Sequence, residues 1–207
     1  TIGQDLVAMC VNDMITSGAH PLFFLDYFAS SKLDVNETAT VIKGIAKACK
    51  KTNCSLIGGE TAEMPNHYIG KNFDLAGFSV GIVEKKLIID SSKVRKNNII
   101  IGIESSGAHS NGYSLINKLI KESKLIKSEK ERLVKLALKP THLYTGVILD
   151  LIKKVKVKSI ANITGGGLTE NIPRSIPNTF SSEIYLNNWK MPPFFSKLQK
   201  LGTIQKS

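Results

Sequence analysis

The chain has 207 residues, enough for one large domain or two small ones, and its 42% hydrophobic and 22% charged residues are an ordinary globular composition. The net charge of +11 comes mostly from scattered lysines, since arginine occurs only at Arg95, Arg132 and Arg174, so we expect a solvated basic surface and no nucleic-acid partner. No apolar run approaches the length of a membrane span and the three cysteines fit no metal spacing, so we expect a cytoplasmic protein without a membrane partner.

The first 83 residues alternate between helical and extended patterns. Apolar side chains recur at helical spacing from Leu6 to Ile15, and Gly18 is a suitable end for that helix. Asp34 and Glu37 form a capping pair at the start of a second helix. In chain order we predict a helix over 6–15, a strand over 21–28 that is buried on both faces, a helix over 35–49, a short strand over 55–57 that ends at Gly58-Gly59, a loop to about residue 72, and a strand over 73–83.

A polar, basic stretch over residues 85–98 separates the two halves, and we place a domain boundary in it, which gives domains 1–85 and 86–207. Arg132 lies in a helical stretch rich in lysine and glutamate. The other elements predicted beyond the boundary are strands over 99–103, 159–163 and 180–185, helices over 113–124 and 143–154, and a helix from residue 193. Because strands and helices alternate without a regular βαβ repeat, we expect an α+β (mixed α/β) protein of two domains and not a doubly wound sheet.

Two acids lie in apolar surroundings. Asp13 follows Asn12 inside the first helix, and Asp26 lies within the apolar strand over 21–28. A carboxylate there costs free energy unless it is paired or bound to a cation. The two could share a Mg²⁺ that carries nucleotide phosphates, or each could cap a backbone group or pair with a lysine. These residues alone favour the structural explanation.

Glycines and acids also follow each other at the end of the short strand. Gly58 and Gly59 would let a ligand or another backbone come close, and Glu60 and Glu63 are candidate ligands of a metal or a ribose. A plain turn with exposed acids is an equal alternative.

Residues 105–112 connect a predicted strand to a predicted helix. This arrangement presents backbone N–H groups, hydroxyls and a helix N-terminus to an anion, although the Lys-Ser/Thr pair of a P-loop is absent. His109 could orient a phosphate or transfer a proton, and otherwise it is a loop histidine bonded to the backbone. The clustering of serine, histidine and asparagine on one turn favours the functional interpretation.

Three glycines, Gly165, Gly166 and Gly167, follow the predicted strand over 159–163. They permit positive φ and close approach to an anion, or else form a flexible hairpin. Arg174 lies shortly after them. The residues by themselves therefore indicate an enzyme with a phosphate-bearing ligand, two anion-binding turns and buried acids.

Four strings in order along the chain resemble aminoimidazole ribonucleotide synthetase (phosphoribosylformylglycinamidine cyclo-ligase), a family of purine biosynthesis. They are Cys10–Asp13 with Gly18–Tyr27, Gly58–Pro65, Ser105–Gly107 with His109–Leu115, and Thr164–Gly167 with Glu170–Arg174.

The resemblance implies an ATP- and Mg²⁺-dependent ligase that activates the amide oxygen of formylglycinamidine ribonucleotide. A nitrogen then closes the ring, which yields aminoimidazole ribonucleotide, ADP and phosphate. The fold implied is two mixed α/β domains, of which the first binds nucleotide and forms a homodimer with the active site near the interface.

The resemblance also assigns roles to individual residues. Asp13 and Glu60 would bind the metal and, with Thr61, the nucleotide. His109 and Asn111 would be catalytic. The substrate or its phosphate would lie against Ser105, Ser106, Gly107, Ser110, Gly165, Gly166 and Gly167.

The chain departs from the family pattern in three places. The family's Asp-Gly-Val-Gly-Thr-Lys segment would lie before Thr1, a further part of the second domain would follow Ser207, and Asn66 replaces a usual glycine. We therefore expect these 207 residues on their own not to turn over substrate.

Two other functions compete with this one. A sister ATP-dependent enzyme, of the formylglycinamidine synthetase, selenophosphate synthetase or thiamine phosphate kinase type, would carry related strings, but Glu60–Pro65 and Pro140-Thr141 resemble the cyclo-ligase more closely. A basic nucleic-acid-binding module would show steeply salt-dependent binding, and the missing arginine and aromatic patches count against it.

Overall fold

The computed structural model describes residues 1–204, which form seven α-helices and three β-strands. In chain order they are α1 (Ile2–Met14), β1 (His20–Ser30), α2 (Val35–Lys51), β2 (Ser55–Glu63), β3 (Phe73–Ile82), α3 (Tyr113–Glu122), α4 (Lys127–Ala137), α5 (Thr145–Lys154), α6 (Gly167–Asn171) and α7 (Pro193–Leu201). Helices together with a mixed sheet confirm the predicted α+β class.

The strands form one sheet in the order β2-β1-β3, with β1 parallel to β2 and antiparallel to β3. Side chains alternate between the two faces along β1, and Phe24, Asp26 and Phe28 are buried on the face that the helices cover. The opposite face, called the open face below, is lined by Phe23, Leu25, Tyr27, Phe78 and Val80. The prediction that β1 is buried on both faces is wrong, because Phe23 on the open face is 43% exposed.

Helices α1 and α2 pack on the covered face and supply the first hydrophobic core. Leu6, Val7 and Val11 of α1 meet Phe24 of β1 and Ile45 of α2 there. The predicted ends of both helices are confirmed, since Gly18 takes a left-handed φ of 83° after α1 and Asp34 accepts hydrogen bonds at the start of α2. Glu37 contributes differently from the prediction, because its carboxylate pairs with Lys71 at 3.4 Å.

Two glycines let α1 lie close to its neighbours. A Cβ on Gly3 would lie 2.5 Å from Ile45 N and 2.6 Å from Val41 O, so the backbones of α1 and α2 touch at this crossing. A Cβ on Gly77 of β3 would lie 3.1 Å from Leu6 Cγ. These contacts fix the height of α1 above the sheet.

The second half of the chain joins this core through α5. Ile148 of α5 is one of the buried core residues, and Ile160 packs against the same cluster. A second core lies among α3, α4 and α7 and contains Ile116, Ile120, Leu133, Ala137, Phe194 and Leu198. The helices predicted in this half are all present.

Strand β2 is longer than predicted. Gly58–Glu63 continues the strand, which pairs in parallel with β1 from Leu25↔Gly58 to Ser30↔Glu63. A bulge between Phe24 and Leu25 absorbs the extra residue Ile57. The two glycines therefore do not end the strand, because β1 provides backbone partners well beyond them.

Three predicted strands, over 99–103, 159–163 and 180–185, do not form. Ile99 and Ile101 are 88% and 81% exposed. The preference of isoleucine for strands is expressed only beside a hydrogen-bonding neighbour, and none of the described strands lies next to these segments.

Within residues 1–204, none of the helices combines the length and the apolar character needed to cross a membrane.

We predict that Gly3→Ala destabilises the full-length protein, because the added methyl meets the backbone of α2. Overpacking of this kind typically costs about 1–3 kcal/mol. Gly146→Ala in α5 is the matched control, since nothing lies within 4 Å of its added Cβ and alanine favours a helix by up to about 1 kcal/mol. Thermal unfolding should show a lower Tm for the first variant only. Equal Tm values for Gly3→Ala and the parent would contradict the close crossing.

Candidate functional site

A polar cleft of about 680 Å³ lies between the C-terminal half of α1 and the loops of the second half of the chain. Its polar lining comes from both sides and consists of Asn12, Asp13, Thr16, Ser17, Asp90, Ser91, His109, Asn111, Thr141, Ser159, Asn162, Thr164, Asn171, Arg174 and Ser175. The structure thus brings Asp13, predicted as a nucleotide and metal ligand, to the same cleft as His109 and Asn111, predicted to be catalytic.

His109 lies on a tight turn before α3. Its φ of 48° and the φ of 60° at Ser110 are both in the left-handed region, which non-glycine residues seldom adopt. The ring nitrogen Nε2 accepts hydrogen bonds from the backbone N–H groups of Ser106 (2.9 Å) and His142 (3.3 Å), and it lies 2.8 Å from Ser106 Oγ. These two donors assign the proton of the neutral ring to Nδ1, which makes no hydrogen bond to the described residues.

The surroundings of His109 favour the neutral imidazole. Burial lowers the pKa of the His109 side chain, and the nearby His142 lowers it further, whereas Asp5 opposes both effects. His109 is therefore uncharged near neutral pH and can donate a hydrogen bond from Nδ1.

The turn of His109 meets the glycine turn through asparagine side chains. Asn111 Nδ2 donates to His109 O at 2.8 Å, and its Oδ1 lies 3.6 Å from the position that a Cβ on Gly165 would occupy. Buried Asn171 donates to the carbonyl oxygens of Gly165 (3.1 Å) and Gly167 (2.7 Å). Asn171, whose role the sequence did not suggest, thus closes the glycine turn from within.

The predicted phosphate-binding hydroxyls bond mainly to the protein itself. Ser105 Oγ donates to Gly107 O at 3.0 Å, and Ser106 Oγ donates to Pro140 O at 2.7 Å. Ser110 Oγ lies 3.4 Å from Thr141 Oγ1. Of the residues predicted to contact phosphate, none lines the cleft directly, although Thr164 beside the glycine turn does.

Asp13 is exposed at the cleft and not buried in the helix, which corrects the expectation drawn from its apolar neighbours. The apolar residues around it belong to the face of α1 that packs on the sheet, and Asp13 points away from that face. None of the salt bridges within residues 1–204 involves Asp13. Its neighbour Asn12 is the buried polar residue of the pair, at 6% exposure.

Glu60 and Thr61 lie on β2 and do not line the cleft. Glu60 pairs in register with Tyr27 and so shares the open face of the sheet, opposite to the face that α1 covers. The structure therefore does not bring Glu60 together with Asp13. Within residues 1–204 no group of three or more His, Cys, Asp or Glu side chains is placed to hold a metal ion.

Asp26 is the acid that the fold does bury, at 7% exposure in the sheet. A Cβ on the paired residue Gly59 would collide with the Asp26 carboxylate, so this glycine makes the room that the acid occupies. Burial raises the pKa of the Asp26 carboxyl, while a hydrogen bond to its own backbone lowers it in part. Asp26 is thus buried in the sheet and Asp13 is exposed at the cleft, so the two carboxylates do not form a pair in one apolar pocket.

We predict that Asp26→Asn stabilises the protein at pH 7 and that the gain disappears near pH 4. An acid whose pKa is higher in the folded state than in the unfolded state stabilises the fold while it is protonated. This contribution to stability is complete below the unfolded pKa of about 3.9 and is lost as pH rises through the folded pKa. Removing the charge should raise the free energy of unfolding by about 1 kcal/mol at pH 7, which corresponds to a rise of roughly 2–4 °C in Tm. Asp150→Asn, an exposed acid paired with Lys153, is the control and should show no such gain. A lower Tm for Asp26→Asn at pH 7 would mean that a partner stabilises the charge.

Two family models match the chain. "AIR synthase related protein, N-terminal domain" covers residues 1–83, and "AIR synthase related protein, C-terminal domain" covers residues 95–205.

Curated relatives and solved structures are consistent with these matches. The phosphoribosylformylglycinamidine cyclo-ligase of Cupriavidus pinatubonensis is 51% identical over 207 residues, which is 99% of this chain and 59% of the relative. The cyclo-ligase of Lawsonia intracellularis is 47% identical over 212 residues, which is 100% of this chain and 61% of the relative. The chain thus spans about three fifths of the length of these relatives. A crystal structure of E. coli HypE, a hydrogenase maturation protein, shares the fold with a TM-score of 0.59 at 18% identity, covering 81% of this chain and 48% of that one.

Proposed function

Because the chain belongs to the AIR synthase related protein family, we propose that the full-length protein is an ATP-dependent cyclo-ligase that converts formylglycinamidine ribonucleotide to aminoimidazole ribonucleotide. The observation that carries this proposal is the cleft that Asp13 of α1 shares with His109, Asn111 and Thr164, the residue just before the glycine turn. The names of relatives at 51% and 47% identity support it.

The chemistry requires that a poor leaving group be improved. Ring closure expels the amide oxygen of the substrate, and transfer of the γ-phosphoryl group of ATP to that oxygen lets it leave as phosphate. One substrate nitrogen then bonds to the activated carbon, and ADP, phosphate and the closed ring result. The catalytic demand is to position the two substrates and to neutralise developing negative charge.

The residues of the cleft meet this demand in a simple way. Neutral His109 donates from Nδ1 to the transferring phosphoryl group or its acceptor oxygen, because its Nε2 is engaged with backbone N–H groups. Asn111 and Arg174 line the cleft, where Arg174 supplies a positive charge, and the glycine turn from Gly165 to Gly167 would hold phosphate oxygens from beside it, next to the cleft residue Thr164. The serines Ser105, Ser106 and Ser110 shape the turn and offer their remaining hydrogen-bonding capacity to the substrate.

A magnesium ion would be held by Asp13. Mg²⁺ is usually bound by one or two carboxylates with substrate phosphates and water, and an exposed carboxylate at the cleft fits this pattern. When bound, the ion would neutralise phosphate charge. Glu60 would reach nucleotide only from the open face of the sheet, whereas Thr61 pairs with Phe28 and belongs to the opposite face.

The open face supports a homodimer with the active site near its interface. Phe78 and Val80 are 62% and 49% exposed there, beside Phe23. A second copy that covers this apolar surface would also approach Glu60, which shares the face. The domain division in residues 85–98 and a cytoplasmic location belong to the same proposal, and the three free thiols agree with a reducing compartment.

The direct test is product analysis with the full-length protein, formylglycinamidine ribonucleotide and ATP. We expect aminoimidazole ribonucleotide and ADP in equal amounts. Folded protein that produces neither, or that phosphorylates a different acceptor, would refute the proposed reaction.

We predict that His109→Ala lowers kcat by about 10²–10⁴-fold, the usual contribution of a proton-donating or proton-accepting group, while Tm changes little. The exposed His67→Ala is the control for loss of an imidazole and should keep full activity. Steady-state kinetics and thermal unfolding are measured for both variants. Full activity of His109→Ala would make it a structural loop residue.

We predict that Asp13→Asn weakens Mg·ATP binding and leaves Tm unchanged or higher. The amide keeps the shape and removes the charge, and the exposed carboxylate has no salt-bridge partner to lose within residues 1–204. Calorimetric titration with Mg·ATP measures the affinity. Normal affinity together with a much lower Tm would show that Asp13 stabilises the fold and binds no metal.

A further inference from the structure

We propose that Asp5 and Asn12 of α1 form a latch on residues 141–144 that positions the ring of His109 in the cleft. The side chains of both residues bond to residues 141–144, so we assign them a positioning role and not a catalytic one. The catalytic consequence of the latch rests on the proposed function, whereas its effect on the His109 ring does not.

Asn12 binds this segment with both ends of its side-chain amide. Asn12 Nδ2 donates to His142 O at 2.8 Å, and Asn12 Oδ1 accepts from the N–H of Tyr144 at 3.0 Å. The side chain is 6% exposed, so water does not compete effectively for these groups. No apolar residue of similar size could replace the pair of bonds.

Asp5 binds the same segment two turns earlier along α1. Asp5 Oδ1 accepts from Thr141 N–H at 2.8 Å and from Thr141 Oγ1–H at 2.7 Å, and Gln4 Nε2 donates to Thr141 O at 2.9 Å. Residues seven apart lie on nearly the same side of a helix, so Asp5 and Asn12 form one polar stripe. Thr141 is 4% exposed beneath it.

The latch reaches His109 through the peptide between its two anchors. The N–H of His142 donates to His109 Nε2 at 3.3 Å. That N–H lies between Thr141, which Asp5 holds, and the carbonyl of His142, which Asn12 holds. Release of either anchor lets the N–H of His142 move away from the ring, so that Nε2 keeps only its contacts with the N–H and the Oγ of Ser106.

Movement of this donor would change the pKa of the His109 ring, which can be measured. The titratable groups that face it are His142, Tyr144 and Asp5, with ring centroids 5.7 Å away for His142 and 6.0 Å for Tyr144. Asn12→Ala changes none of these charges, so a change in the titration of His109 would come from geometry. Asp5→Ala would also remove a carboxylate that raises the pKa of His109, and it is therefore a poorer probe.

The experiment measures hydrogen–deuterium exchange at the C2 position of each histidine by mass spectrometry, across pH, in the full-length protein. Parent, Asn12→Ala and Asn117→Ala are compared, the last being an exposed asparagine of α3. The midpoint is the pH at which the exchange rate of a histidine is half-maximal. We expect the midpoint of His109 to rise in Asn12→Ala only, and the midpoint of His20 to be the same in all three proteins. We also expect kcat of Asn12→Ala to fall at least about tenfold, because small misplacements of a catalytic group can cost roughly 10²-fold.

Thr141→Val is the second variant, used if Asn12→Ala does not fold. It removes the hydroxyl that donates to Asp5 and keeps shape and charge. A folded Asn12→Ala or Thr141→Val with the parent midpoint at His109 would overturn the latch, and so would an equal rise in Asn117→Ala. A raised midpoint in a protein that forms no aminoimidazole ribonucleotide would support the latch and refute the proposed reaction separately.

Discussion

The close packing of α1 is the constraint on which the rest of the structure depends. Gly3 brings its backbone against α2, and Gly77 lets Leu6 approach the sheet. With α1 held on that side, its opposite side faces residues 141–144, and the polar stripe of Asp5 and Asn12 bonds to them. One helix thus builds the first core and orients the loops of the second half.

The cleft retains groups that would be unfavourable elsewhere. His109, which lines the cleft, and its neighbour Ser110 both have positive φ. Such strain persists only where surrounding contacts impose it, and it is concentrated at functional sites. Here the imposing contacts are the hydrogen bonds of the His109 ring and the amide of Asn111.

Two of the four asparagines that line the cleft, Asn12 and Asn171, hold segments that lack regular backbone hydrogen bonding. Asn171 bonds to carbonyls of the glycine turn, and Asn12 bonds to a segment that belongs to no helix or strand. The loops over the cleft are therefore held in defined positions by side chains, although few backbone–backbone hydrogen bonds stabilise them. Buried backbone groups require such partners, because an unpaired one costs free energy comparable to a lost hydrogen bond.

The sequence alone determined the longer helices, since apolar spacing and the Asp34 cap act within a few residues, but it did not predict the short α6; it also indicated the family through its ordered strings. It could not decide the strands over 99–103 or 159–163, because a strand depends on a neighbour that local pattern does not specify. Only the tertiary structure decided which acid is buried. Asp13 and Asp26 have equally apolar neighbours in the chain, but helical geometry turns Asp13 outwards, while the pleat of β1 turns Asp26 under α1 and α2. The contact of Asn12 with His142 joins residues 130 positions apart, a separation at which sequence patterns carry no information about distance.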